Sequence, residues 1–304
     1  MTQAPRTTRP TKLTDLLDSR FMARLDALDV LSRKILRGKL RGERRSKKRG
    51  QSVEFADHRA YVHGDDIRFV DWNVFGRLDQ LFLKLFLEEQ DLSLHILLDT
   101  SASTATGDPP KDLMLKRLAA ALAYVGLVNQ NRVSLSAFAD GLVGRLENMR
   151  GRNYLGRMAE FLLALEAEGV SRFEKACRQL VSGRLGSGVT VILSDLMFKE
   201  GFEAGLKRLV SDRYDLAVIQ VLSPQERRPD LMGDLKLIDV EDADASEVTI
   251  SAALLKHYER TLAAYCGAIR DFCTRRGALY VLTDSAQPVD RLVLEQLRRR
   301  QLLA

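Results

Sequence analysis

Cysteine is scarce in this 304-residue chain: there are three, Cys177, Cys266 and Cys273, and no Cys-x-x-Cys pair. An odd, unpaired set excludes a disulfide framework and a cysteine-based structural zinc site. All three read as small buried apolar side chains, and Cys266 and Cys273, seven apart, share a face if they lie on a helix. Histidine is equally thin, and His58, His63, His95 and His257 show no zinc-type spacing. Long apolar runs are missing. Stretches such as Leu92 to Leu98 fall far short of the roughly 20 residues a bilayer-spanning helix needs. Met1 to Pro10 is polar, without the apolar stretch of about 7 to 15 residues of a secretory signal. The expected location is the cytoplasm, with no transmembrane segment. There is also no internal repeat, no low-complexity tract and no Gly-x-x-x-x-Gly-Lys-Ser/Thr phosphate loop.

What is present is a globular composition, 45% hydrophobic and 29% charged, enough for one large core with a smaller module. The net charge of +6 is unevenly spread: residues 1–50 hold 15 basic against 5 acidic side chains, leaving 32 basic against 36 acidic beyond. Eight of the cations, Arg37, Lys39, Arg41, Arg44, Arg45, Lys47, Lys48 and Arg49, are interleaved with three glycines and almost nothing to bury. They read as a loop or flexible arm. Upstream, the apolar spacing from Leu13 to Leu36 predicts an amphipathic helix.

Ser52 to Val62 and Leu81 to Glu88 read as strands around a turn-rich centre. From Ser93 the pattern becomes α/β. Strands at 93–99, 132–138, 189–194, 215–222 and 278–283 alternate with helices at 111–128, 155–166, 172–180, 203–209 and 251–275, and a final helix starts near Val289. A short strand near 235–240 interrupts the order. Such alternation predicts a doubly wound, mostly parallel sheet with helices on both faces. The expected partition is residues 1–50 as helix and arm, 51–90 as a β-rich subdomain, and 91–304 as the α/β domain.

Ligands in open α/β sheets bind beyond the carboxyl ends of the strands. Asp99 and Asp195 sit at two such ends, each after an apolar strand, so both carboxylates are expected in one crevice. Asp99 opens Asp-x-Ser-x-Ser, which puts a carboxylate and two hydroxyls, Ser101 and Ser103, on one loop. Oxygen donors with few charges suit Mg²⁺ or Mn²⁺. The simpler reading is that Asp99 and Ser101 cap the next helix; the second strand-end carboxylate favours the metal.

Asp99, Ser101 and Ser103 resemble the first loop of the metal-ion-dependent adhesion site of von Willebrand factor A domains. That resemblance implies a hydroxyl ligand from a second loop and an Asp from a third. Gly169-Val-Ser-Arg-Phe-Glu-Lys-Ala176 is similar to the second, with Ser171 where the family has Thr, and Asp195 fits the third. A longer motif narrows the family: Glu54, Phe55, Arg59, Tyr61, Gly64, Asp65, Asp66, Arg68, Asp71 and Trp72, followed by Arg77 and Lys84. It resembles the bacterial proteins called domain of unknown function fifty-eight, over about residues 38 to 200. Those are von Willebrand A-like proteins associated with MoxR-type AAA+ ATPases. Many carry membrane helices near the N-terminus, which this sequence lacks. Taken physically, Asp65, Asp66, Arg68, Asp71, Arg77 and Lys84 read as an ion-pair network fixing a turn-rich subdomain, and Trp72 as a core anchor.

The expected function is therefore a non-enzymatic, metal-dependent interaction module whose partner, by resemblance, is a MoxR-type AAA+ ATPase or its client. Two alternatives belong to other classes. A metal-dependent phosphohydrolase also needs strand-end carboxylates, but Ser101 stands where a haloacid-dehalogenase-type enzyme wants an acid. Nucleic acid or an anionic surface could bind the basic arm, although no aromatics interleave with its cations.

Overall fold

The computed structural model describes residues 10–32, 54–87, 92–183, 186–210 and 214–304. Its contacts divide the chain into two units, 1–32 with 92–304 and 33–91. The N-terminal segment forms two short helices, α1 (Leu13–Leu16) and α2 (Ser19–Leu25), in place of the single helix expected from Leu13 to Leu36. The break has a local cause: Asp18 is extended and its carboxylate accepts the Phe21 N–H, capping α2. Leu16, Leu17, Phe21, Leu25, Leu28 and Val30 are buried in the core of the larger unit. Residues 10–32 thus pack into the larger unit, and the division between the units falls after Ser32. All eight cations of the arm lie outside the described residues.

In the smaller unit, β1 (Glu54–Ala60) pairs antiparallel with β2 (Phe82–Leu87). The segment between them is less irregular than its turn-rich composition predicts. Asp66 caps a 3₁₀ turn at Ile67–Phe69, and Asp71 caps helix α3 (Trp72–Leu78) by accepting the Asn73 and Val74 N–H groups. Part of the expected charge pairing forms around these caps, with Arg59 and His58 as partners outside the expected set. Arg59 grips Asp65 through two 2.7 Å bonds, Arg68 pairs with Asp66 at 2.6 Å, and Asp71 meets His58 Nε2 at 2.9 Å. Gly64 supplies the left-handed turn at φ 101°, Tyr61 donates its N–H to Leu81 O, and Arg77 lies in the last turn of α3. The side chains of Glu54, Phe55 and Lys84 fall outside the described part. Trp72 is 61% exposed, not a core anchor: it occupies the first turn of α3 and meets the Phe75 ring edge-on.

The larger unit is built on one six-stranded sheet of β3 (Ser93–Asp99), β4 (Arg132–Ala139), β5 (Gly141–Met149), β6 (Gly188–Ser194), β7 (Tyr214–Leu222) and β10 (Leu279–Asp284), in the order β10-β7-β6-β3-β4-β5. All neighbours are parallel except β4 and β5. Strand β5 is not anticipated by the apolar pattern, because it is an edge strand that alternates buried Leu146 with exposed Arg145 and Glu147. The central strands face two cores. Leu94, Ile96 and Leu98 join Val189, Val191 and Leu193 on one side, while Leu97, Ile192 and Val218 lie on the other.

The first core is covered by helix α4 (Lys111–Val128). Every residue of it from Leu118 to Leu127 is buried, since its outer side is in turn covered by α1 and α2. Helix α5 (Leu155–Ala164) packs beside it. Helices α6 (Phe173–Ser182), α7 (Glu203–Leu209) and α9 (Ala252–Arg275) cover the second core, where Cys177 and Cys273 are buried. Between β7 and α9 lie a one-turn helix α8 (Pro224–Arg227) and a hairpin, β8 (Gly233–Ile238) with β9 (Ala245–Ile250). Among the described residues, no helix is long and apolar enough to cross a membrane.

Candidate metal centre

The sheet order runs outward from β3 in both directions, to β4 and β5 on one side and to β6, β7 and β10 on the other. The strands that part at this switch point are β3 and β6, and the crevice beyond their carboxyl ends is where such sheets place ligands. Asp99 ends β3 and Asp195 follows β6; they are 1% and 2% exposed.

The first loop is tightly self-bonded. Asp99 Oδ1 accepts the Ser101 N–H at 3.0 Å and the Ser101 hydroxyl at 2.7 Å, and Ser101 Oγ lies 3.0 Å from Ser103 Oγ. Asp99 Oδ2 accepts the Ser194 hydroxyl at 2.6 Å, a contact the sequence motif did not include. The second loop runs against the first: Ala102 N–H donates to Gly169 O at 3.0 Å and Glu168 N–H to Thr100 O at 2.9 Å. Ser171, two residues further on, is buried, and among the described residues its hydroxyl oxygen has no hydrogen-bond partner. In the third loop Asp195 Oδ1 accepts the Met197 N–H at 3.1 Å, while Oδ2 accepts from Lys111 Nζ at 2.6 Å.

Lys111 and Glu226 are the residues that motif reading missed. Lys111 begins α4 with its side chain 1% exposed, bonded to both Asp195 and Glu226. Glu226 comes from α8, where Ser223-x-x-Glu226 forms a capping box. That box is legible in sequence, but its reach to Lys111 is not. Burial alone would depress the Lys111 ammonium, yet Asp195 and Glu226 outweigh it and hold the pKa above the usual lysine value. Asp99 goes the other way. Burial, then the charge of Asp195, push it to about 7, against the hydrogen bonds from Ser194 and Ser101.

Two carboxylates, Asp195 and Glu226, thus meet one ammonium, a third, Asp99, feels the charge of Asp195, and the buried Ser171 hydroxyl is unsatisfied among the described residues. Among the described residues no group of three or more His, Cys, Asp or Glu side chains is arranged to hold a metal. A cation here would rest on the two buried carboxylates and on serine hydroxyls. This hard-oxygen set with an excess of negative charge fits Mg²⁺ or Mn²⁺ and would not suit a softer ion. His58 sits in the smaller unit and His95 accepts the Gly186 N–H at 3.2 Å.

The mainly parallel central sheet, with helices on both faces, makes this a von Willebrand factor A-like α/β protein. The chain belongs to the family described as Protein of unknown function DUF58, whose profile matches residues 57–285. The match reaches well past residue 200, where the motif resemblance was expected to end. The chain is 26% identical over 298 residues to Uncharacterized protein Rv1480 of Mycobacterium tuberculosis, covering 95% of this chain and 93% of that one. Among solved structures it is similar to the conserved hypothetical protein BatB from Bacteroides thetaiotaomicron, with 12% identity, TM-score 0.41 and coverage of 69% and 98% of the two chains. It is also similar to the SpRpn10 VWA domain, with 13% identity, TM-score 0.39 and coverage of 68% and 95%.

Proposed function

We propose that this chain is a non-enzymatic protein-interaction module whose buried crevice takes Mg²⁺ or Mn²⁺ and, through it, an acidic side chain of a partner. Asp99, Ser101, Ser103, Ser171 and Asp195 would hold the ion. The observation that carries the reading is the Ser171 hydroxyl, buried without a partner on a loop bonded to the Asp99 loop. A buried polar group left unmet is costly, and a cation in the crevice offers it a role. The charge balance supports the same reading, since a dication offsets the carboxylate excess that one lysine leaves. With few protein charges of its own, such an ion keeps enough electrophilicity for a partner's carboxylate. By the family resemblance, that partner is a MoxR-type AAA+ ATPase or a client matured by it, and this chain acts as adaptor. A phosphohydrolase is the weaker reading because Ser101, at the position wanted for an acid, spends its hydroxyl on Asp99.

Calorimetric titration with MgCl₂ and MnCl₂ tests the site. The wild type should bind one of them, and Asp99→Ala should abolish binding while the circular dichroism spectrum is unchanged. Equal affinity in both proteins would remove the site. Capture of a MoxR-type ATPase by the wild-type chain should be lost in EDTA and in Asp99→Ala.

A further inference from the structure

The β8–β9 hairpin is ladder-paired from Gly233↔Ile250 to Ile238↔Ala245, yet nearly all its strand residues are exposed. It has little apolar anchorage. Its turn is rich in acid, with Asp239, Glu241, Asp242 and Asp244, and is shaped internally by Glu241 N–H donating to Asp239 Oδ1 at 2.8 Å. Among the described residues, the side-chain contacts that fasten this turn are made to loops of the candidate metal centre. Lys199, four residues beyond Asp195, pairs with Asp239 at 2.8 Å and Asp242 at 2.6 Å. Glu241 Oε2 accepts the backbone N–H of Ser171 at 3.0 Å, the same residue whose hydroxyl is buried without a partner. The hairpin thus spans the second and third loops and sets a carboxylate on the second.

We infer that the β8–β9 turn is a built-in cap on the crevice, in which Glu241 occupies in cis the place that a partner's acidic side chain takes in trans. The fastening suits displacement. Lys199 and both its aspartates are substantially exposed, and exposed ion pairs are weak and weaken further with salt. An acidic partner therefore competes with a tethered acid held by contacts it can outbid. The cap also selects, because a ligand without a carboxylate gains nothing by displacing it. This inference rests on the reading of the crevice as a site for a cation and an acidic ligand.

The test uses the full chain in MgCl₂ with a fluorescent hexaglutamate peptide as probe. Glu241→Ala should bind the peptide about fivefold or more tighter than wild type, within the usual range for coupled binding events. Glu247→Ala removes the same charge from exposed β9 without touching Ser171, and should leave affinity unchanged. In the wild type, saturating peptide should raise hydrogen exchange across residues 239–244 as the turn is released. An unchanged affinity in Glu241→Ala, an equal gain in Glu247→Ala, or unaltered exchange at the turn would each overturn the cap. Should Asp99→Ala bind metal and peptide as the wild type does, the site reading itself falls; loss of both in Asp99→Ala with no effect of Glu241→Ala removes the cap alone.

Discussion

Lys111 carries an ammonium into the core at the start of a helix, where the backbone dipole disfavours positive charge. It is tolerable only because Asp195, from the loop after β6, and Glu226, from α8, bond to it. Breaking such a buried pair from one side leaves uncompensated charge, which costs about 3–5 kcal/mol. Lys111→Met should therefore lower the urea-unfolding free energy by that order at neutral pH. Glu226→Gln should cost less, because the Glu226 side chain is 27% exposed and water can replace the bond. A loss below about 1 kcal/mol in Lys111→Met would place the pair among surface ion pairs and remove its role in ordering Asp195. The contrast with Asp99 explains what could be seen in the sequence. Asp99, Ser101 and Ser103 interact within a five-residue loop, and Asp195 declares itself by ending an apolar strand. Lys111 meets its acids 84 and 115 residues away, and Ser171 meets Glu241 70 residues away. No local pattern marks such partners.

Strands buried on both faces are the elements that show in the sequence, and β3, β6 and β7 lie close to their expected positions. The elements that did not show are those with polar faces. Strand β5 mixes buried with exposed residues, strand β9 is largely exposed, and α3 follows a cap, Asp71, in a stretch whose glycines and aspartates mimic a loop. Within β3, His95 gives a pH signature. Its Nε2 accepts the Gly186 N–H, so the ring is neutral. Burial, then the charges of Arg145 and Arg132, lower its pKa from 6.5 to about 4. Above pH 6.5 neither folded nor unfolded chain holds the proton, and the group has no effect on the pH slope. Between 6.5 and about 4 the unfolded chain binds a proton that the folded chain refuses, so stability falls as pH falls. His95→Gln keeps an acceptor for Gly186 without a titrating group. Denaturant melts from pH 7 to pH 4.5 should show the wild type losing stability faster than His95→Gln, and parallel curves would contradict the buried neutral ring.

The larger unit is interrupted in sequence but closed in space. The chain leaves it at Ser32, whose hydroxyl reaches Gly188 O at 3.4 Å and Asp215 at 2.9 Å, and re-enters at β3, where Ser93 is the register partner of Gly188. Exit and return both lie beside Gly188, so residues 33–91 interrupt the sequence of the α/β unit between two positions that are close in space. Insertions whose ends are close are commonly removable. A flexible linker of about ten Gly/Ser residues, reaching about 17 Å on average, in place of residues 33–91 should leave a cooperatively folding protein that still binds Mg²⁺. Residues 10–32 are different, because Leu16, Leu17, Phe21, Leu25, Leu28 and Val30 are buried against the main core and Leu31 N–H bonds to Leu302 O at 2.9 Å. Exposing six such side chains costs on the order of 10 kcal/mol, comparable to the whole stability of a typical domain. Deleting residues 1–32 should therefore yield an aggregating chain without a cooperative melt. Thermal circular dichroism and size-exclusion profiles of the two proteins decide between this arrangement and the three consecutive modules expected from composition. If the excised chain unfolds while the truncated one melts cooperatively, the small unit is part of the core and the N-terminal helices are not.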